Sequence, residues 1–536
     1  MGKPDFMFML FWLLGLWPYV EGSYYYQRQI PNKCSFTRFP GLCVQTLVGF
    51  QSTKMERVHV VSALINKTIS ETKIPTSYFS QVHSQLVTVD TQESQRVRAV
   101  TDHCEEMMGM SLKRLEQSLL ALRVSPTKNK QDIQTWLSAA VTFQETCKDS
   151  VKSLSLSSVS STEILDKIYQ KMEYLSQLCS NPLALVNRIT SINPKNTTNN
   201  RFLNQDQVDF PNWVSTKTRK LLQAKGINAN AVVAKDGTGN YKTVSEAINA
   251  ASGNRFVIYV KAGVYKEKIR TNKDGITLIG DGKYSTIITG DDSVAGGSSM
   301  PASATFTITG DGFIARDIGF HNTAGPGGQQ ALALNAASDR SVFYRCSIAG
   351  YQDTLYALAL RQFYRDTDIY GTVDFIFGNA AAVFQNCYIV LRRPKGGYNA
   401  VLANGRSDPG QNTGFSLQNC RIAVGSDFAP VKHSYNSYLG RPWKQYSRSV
   451  VMQSTIDDSI SSRGWIEWPG EGSYSKTLYF AEYSNVGPGA ATSGRVNWPG
   501  FHVIGADEAV KFTVGKFIAG TTWLPSTGVT FISGLQ

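Results

Sequence analysis

Two short segments gather the side chains best suited to chemistry. Gly350-Tyr351-Gln352-Asp353-Thr354-Leu355 and Thr372-Val373-Asp374-Phe375-Ile376-Phe377-Gly378-Asn379 each set a carboxylate among aromatic and apolar residues. If the two segments are successive coils of a stacked fold, Asp353 and Asp374 lie on neighbouring rungs about 5 Å apart. Two carboxylates that close divide their protonation states, one staying charged and the other keeping its proton. That is the requirement for a nucleophile and a general acid. A loop aspartate by itself most often caps a turn; the pair beside aromatic rings is what points to catalysis. Other hydrolytic routes lack their parts. The chain has six histidines and no G-x-S-x-G setting for a serine triad. Its cysteines are isolated singles without zinc spacing. His321, His433 and His502 read as structural or surface residues, and neither a metal nor a cofactor is expected.

The elements that must hold these segments come from a repeating half of the chain. Beyond Ala231 glycines become frequent, and short apolar runs such as Phe256 to Val260, Ile276 to Ile279 and Thr305 to Ile308 alternate with turns. Segments of similar form end in Arg316-Asp317-Ile318, Cys346-Ser347-Ile348, Thr367-Asp368-Ile369, Cys387-Tyr388-Ile389 and Cys420-Arg421-Ile422. Their isoleucines recur at roughly 20 to 33 residues, the length of one solenoid coil with variable loops. The expectation is an all-β, right-handed parallel β-helix with inserted loops forming a surface groove. A propeller would need a more even period of about 40 residues.

The first half is written differently. Met108, Leu112, Leu115, Leu119 and Leu122 recur at three- and four-residue steps, as do Ile133, Leu137, Val141 and Gln144. Ser160 and Glu163 have capping-box spacing ahead of Ile164, Ile168, Leu175 and Cys179. An all-α four-helix bundle fits this half. Near the N-terminus, Lys3 precedes an apolar run from Phe6 to Trp17 that ends by Gly22, too short to span a bilayer and shaped like a secretory signal. The expected organisation is a signal peptide at 1–22, a helical domain at 23–200, a linker at 201–222 and a catalytic β-helix at 223–536. Export makes the eight cysteines candidates for disulfides and the sequons at Asn66 and Asn196 candidates for glycosylation. The dibasic Arg219-Lys220-Leu221-Leu222 in the linker reads as a processing site. The net charge of +13 calls for a polyanionic partner. Export argues against nucleic acid, and no later segment is long and apolar enough to be a membrane span.

From Ala231 onward the sequence resembles the plant-type pectin methylesterases. The resemblance runs through Gly263-Val264-Tyr265-Lys266-Glu267, Gln330-Ala331-Leu332-Ala333-Leu334, the two aspartate segments and Leu439-Gly440-Arg441-Pro442-Trp443. The helical half resembles the pectin methylesterase inhibitor domain. The resemblance implies hydrolysis of methyl esters of cell-wall homogalacturonan to methanol and demethylated pectin. Asp374 would attack the ester carbonyl, and Asp353 would serve as general acid and then base. Gln330 and Gln352 would donate to the oxyanion. Arg441, which by itself reads as a turn arginine, would keep Asp374 charged. Gln330, Arg441 and Trp443 would contact the sugar chain. It further implies a secreted, wall-located zymogen whose partners are pectin, inhibitor proteins and a processing protease, and disulfides Cys34–Cys43 and Cys104–Cys147.

Two positions depart from the family's pattern. Met300 stands where a substrate-contacting threonine is usual. Thr367 stands where a cysteine usually pairs with the Cys387 position. With Cys346, Thr367, Cys387 and Cys420 in one column, Cys387 is expected to be unbridged unless Cys420 is its rung neighbour. Two other classes of function compete: a regulatory protein whose helical half does the work, and a pectin-cleaving lyase or glycosidase on the same solenoid.

Overall fold

The computed structural model describes residues 29–48, 56–86, 92–155, 162–189, 228–470 and 474–536. The expected signal peptide, the Ser160 cap, Asn196 and the motif at 219–222 lie outside the described residues. The chain forms two compact units that divide near residue 198.

In the first unit a short helix, α1 (Pro40–Leu47), precedes four long ones: α2 (Arg57–Leu86), α3 (Gln92–Val124), α4 (Lys130–Ser155) and α5 (Thr162–Val186). Each long helix packs on two others, α2 on α3 and α5, and α4 on α3 and α5, which is a four-helix bundle. The stripes read from the sequence face its core. Met108, Leu115, Leu119, Leu122, Ile133, Leu137 and Val141 are buried, and Leu112 packs against them half-exposed. The polar end of the α4 stripe is accommodated as well: Gln144 is buried and donates to Ser111 Oγ at 3.1 Å. Disulfides Cys34–Cys43 and Cys104–Cys147 are both formed, and Cys179 is a buried thiol. Asn66 is exposed on α2, whereas Thr68 of its sequon is buried with its hydroxyl donating to Leu64 O.

The second unit is a parallel β-helix. Its strands form three parallel sheets, and each coil gives one strand to each in turn. Ser341–Tyr344, Ser347–Ala349 and Leu355–Ala357 make one coil; Arg361–Arg365, Asp368–Gly371 and Val373–Gly378 stack on it in register. Side chains alternate inward and outward along each strand, so like residues pile into columns. Phe343, Tyr364 and Phe384 stack at 4.8 and 4.5 Å, and Ile348, Ile369, Ile389, Ile422 and Ile456 form a second column. Ile318 departs from the repeat seen in the sequence: Phe320 stands over Ile348, and Ile318 lines up with Cys346. A slip of two residues leaves every side chain on its own face, so hydrophobic pattern alone cannot detect it.

From the Ile314–Arg316 strand onward, the corner after the first sheet holds a left-handed residue in seven successive coils. Asp317, Arg345, Asp366, Asn386, Asn419, Gln453 and Ser484 all have φ between 50° and 56° there. Asp and Asn tolerate that conformation better than most residues. Arg345 does not belong to that class, and its side chain is tied to Asp317 by bonds of 2.6 and 2.5 Å. The outer side of the first sheet is covered by the segment after Ala506. There Gln385, Gln418 and Gln453, on successive rungs, donate to the carbonyls of Ile532, Gly534 and Gln536 at 2.9, 2.8 and 2.6 Å.

Candidate active site

The two aspartates sit where the third sheet begins in successive coils. The Leu355–Ala357 and Val373–Gly378 strands pair Leu355 with Ile376, a register that carries Asp353 to Asp374. The Asp353 N–H donates to Val373 O at 3.0 Å. Both aspartates have left-handed backbone, φ 59° at Asp353 and 52° at Asp374. Such conformations cost energy and gather at functional sites. At Asp374 the cause is visible. Val373 pairs with Ala400 and Ile376 with Leu402, so one extra residue is accommodated in a bulge that re-aims its side chain.

Arg441 reaches Asp374 from two strands away. It pairs in register with Ala403, and Ala403 is the next rung beyond Phe377. The small Ala403 side chain leaves the guanidinium room to cross. Its Nε and Nη2 meet the two oxygens of Asp374 at 2.7 and 2.5 Å, a bidentate charge-assisted pair. Nη1 donates to Tyr398 Oη at 2.5 Å, and the guanidinium carbon lies 4.1 Å from the centre of the Trp468 ring.

The two carboxyls are buried, with 8% of Asp353 and 5% of Asp374 exposed. Burial pushes the Asp353 carboxyl well above the usual carboxylate range, the neighbouring Asp374 raises it further, and Arg441 opposes. Burial raises Asp374 too, but there the Arg441 fork works directly against it. The cation therefore favours charge on Asp374 and leaves the proton with Asp353. A buried nucleophile next to a buried acid is the chemistry this arrangement can perform.

Gln330 and Gln352 are brought together by an isolated parallel bridge, with Ala331 N–H donating to Gln352 O at 3.3 Å. Both are partly exposed; Gln330 precedes the Leu334–Ala336 strand and Gln352 the Leu355–Ala357 strand stacked on it. On the same two coils as the aspartates, Tyr356 and Phe377 stack at 4.3 Å, and Trp443 stands against Phe377 at 5.9 Å. Met300 lies outside the regular strands. It precedes the short turn Pro301–Ser303, where its carbonyl accepts from Ser303 Oγ, and no hydrogen bond of the site runs to it among the described residues. His321 is a structural residue: its Nε2 is 2.8 Å from Ser347 Oγ, and burial, with Arg392 nearby, lowers its pKa to about 4.

Sequence reasoning missed Tyr398 and Trp468. Tyr398 opens a strand on the rung between Asp374 and Arg441, so its place follows once coils are aligned; Trp468 lies in a loop with no spacing to announce it.

The family model described as Pectinesterase matches residues 230–521, and that of the plant invertase/pectin methylesterase inhibitor matches residues 28–185. The chain belongs to the pectinesterase family. Among relatives, "Probable pectinesterase/pectinesterase inhibitor 54" of Arabidopsis thaliana is 50% identical over 92% of this chain and 90% of its own. "Pectinesterase 2" of Citrus sinensis is 47% identical over 82% of this chain and 83% of its own. Among solved structures, the pectin methylesterase from carrot is 53% identical with a TM-score of 0.57, covering 58% of this chain and all of its own. The pectinesterase unit is thus a carboxylic ester hydrolase built on a parallel β-helix, carried behind an inhibitor-type helical bundle.

Proposed function

We propose that this chain hydrolyses the methyl esters of pectin in the plant cell wall, with Asp374 as nucleophile and Asp353 as acid and base. The observation that carries the proposal is the asymmetry of the pair. Two buried carboxyls share one site, and one of them alone is gripped by the fork of Arg441. Asp374 attacks the ester carbonyl carbon, and the oxyanion takes hydrogen bonds from the amides of Gln330 and Gln352. Collapse breaks the bond to methoxide, which takes the Asp353 proton and leaves as methanol. Asp353, now charged, takes a proton from water; the resulting hydroxide attacks the acyl-enzyme and expels the Asp374 carboxylate, freeing galacturonic acid, which gives its proton to solvent. Trp443, beside the Tyr356–Phe377 stack, offers a face to a sugar ring. The inhibitor-type bundle is removed at Arg219-Lys220-Leu221-Leu222 or keeps the esterase silent before export, and the excess of positive charge favours retention on de-esterified pectin.

The test is methanol release from highly methylated pectin by the wild-type chain, assayed before and after cleavage at Arg219-Lys220-Leu221-Leu222, beside Asp374→Asn. Release by the first, loss of at least about a thousandfold in the second, and unchanged pectin chain length are expected. Shortened chains would indicate a lyase or glycosidase and sink the proposal, as would full activity in Asp374→Asn.

A further inference from the structure

We infer that Arg392 is a positioning residue for the proposed reaction, clamping the Gly350–Tyr351 turn so that Gln352 and Asp353 are held against Asp374. The inference rests on the roles proposed above for those two residues. Arg392 follows the Tyr388–Leu391 strand, and its backbone N–H donates to Gly371 O at 2.8 Å, fixing where the side chain starts. From there Nη1 donates to Gly350 O at 3.1 Å and Nη2 to Tyr351 Oη at 2.6 Å. The guanidinium carbon lies 3.7 Å from the centre of the Tyr351 ring. On its other side Nε is 3.7 Å from Asp427 Oδ2. Three contacts thus fall on the dipeptide that immediately precedes Gln352 and Asp353.

That dipeptide needs holding. Asp353 is in left-handed backbone, and regular pairing of its strand with the next coil begins only at Leu355. The Thr354 hydroxyl, 3.0 Å from the carbonyls of both Tyr351 and Tyr370, pins the turn from below. Arg392 pins it from outside. Stacking on a ring while its fork reaches a carbonyl and a phenol is something a planar guanidinium can do and an ammonium cannot. The groups facing Asp353 are Asp374 and Arg441; Arg392 faces Asp427 and lies near His321, which it helps to keep neutral. Arg392 therefore acts on the acid through geometry and exclusion of water. A displacement of about 1 Å in such a group can cost on the order of a hundredfold in rate.

The experiment measures methanol release from methylated pectin across pH by the full chain, as wild type, Arg392→Met, Arg392→Lys and Tyr351→Phe. Arg392→Met is expected to lower kcat by about ten- to a hundredfold with KM nearly unchanged. It should also move the alkaline limb of the profile to lower pH, because water admitted to Asp353 weakens its hold on the proton. Arg392→Lys keeps the charge and should lose nearly as much. Tyr351→Phe removes one oxygen, leaves the ring in place and should show a smaller loss in the same direction, which separates the clamp from a general folding defect. A raised KM with kcat intact would mean that Arg392 touches substrate instead. Unmoved pH limbs, or wild-type rates in Arg392→Lys, would overturn the clamp. A wild type inactive both as the full chain and after cleavage at Arg219-Lys220-Leu221-Leu222 would overturn the esterase reading itself, and the inference with it.

Discussion

Replacing Asp353 by Asn should lower turnover by about a hundredfold or more and at the same time stabilise the β-helix as pH rises from 4 to about 8. The wild-type carboxyl is buried one rung from Asp374. Ionising it sets two charges about 5 Å apart, a repulsion of about 3 kcal/mol at an effective dielectric constant near 20. Burial adds to this cost and the attraction of Arg441 takes from it, so about 3 kcal/mol is the size to expect. For a unit of this size that corresponds to about 5 °C in Tm. The sign follows from the direction of the shift. The folded carboxyl holds its proton more tightly than the unfolded one, so its contribution is fully present below the ordinary carboxylate range, near 4. It is lost as pH rises through the raised folded value. Asn carries no such dependence, and it tolerates the left-handed backbone that Asp353 occupies. Thermal unfolding of both proteins at matched scan rates between pH 4 and 8 provides the assay. The Asn variant should gain on wild type as pH rises, while methanol release falls by about a hundredfold or more. A difference in Tm that is flat across pH, or one that favours wild type at pH 8, would refute the assignment of the proton to Asp353.

Two further outcomes follow from the geometry. Gln352→Ala should lower kcat by about a hundredfold or more with little change in KM, because its amide is needed only once the oxyanion forms; a change confined to KM would assign it to substrate binding. Cys387 and Cys420 occupy adjacent rungs, about 4.8 Å apart along the stack, within the usual reach of a disulfide. In the structure both are buried thiols, as are Cys179 and Cys346; if export oxidises the pair, titration of denatured, unreduced material should find two thiols, and four would mean that Cys387 and Cys420 stay reduced.

The solenoid was legible because its repeat is carried by side chains that must face inward. The column Cys346, Thr367, Cys387, Cys420 was read in register from the sequence, and the ladders place those residues together. From the same repeat came the neighbouring-rung placement of Asp353 and Asp374. What the repeat could not reveal was the bulge at Asp374, since an extra residue in a strand looks like any other loop length. Nor could it show that Arg441 crosses a rung over Ala403. That contact depends on the smallness of a residue whose importance lies in what it leaves open. Ile318 was misplaced by two because apolar identity is insensitive to a shift that preserves facing. In the helical half, burial follows the 3.6-residue period closely, and buried polar residues such as Gln144, whose Nε2 donates to Ser111 Oγ, sit within it.

The glutamine ladder changes what kind of object the β-helix is. In a simple stack each coil touches only its neighbours, so stability is a sum of local terms and the ends can unzip independently. Here residues 532, 534 and 536 are tied to rungs that precede them by 147, 116 and 83 positions in sequence. Three coils are therefore laced together by a single strip of backbone running across them. Opening one coil in that stretch requires the strip to lift from all three. The laced rungs begin with the coil that directly follows Asp374, so the lacing lends long-range cooperativity to the part of the solenoid whose alignment the carboxylate pair depends on.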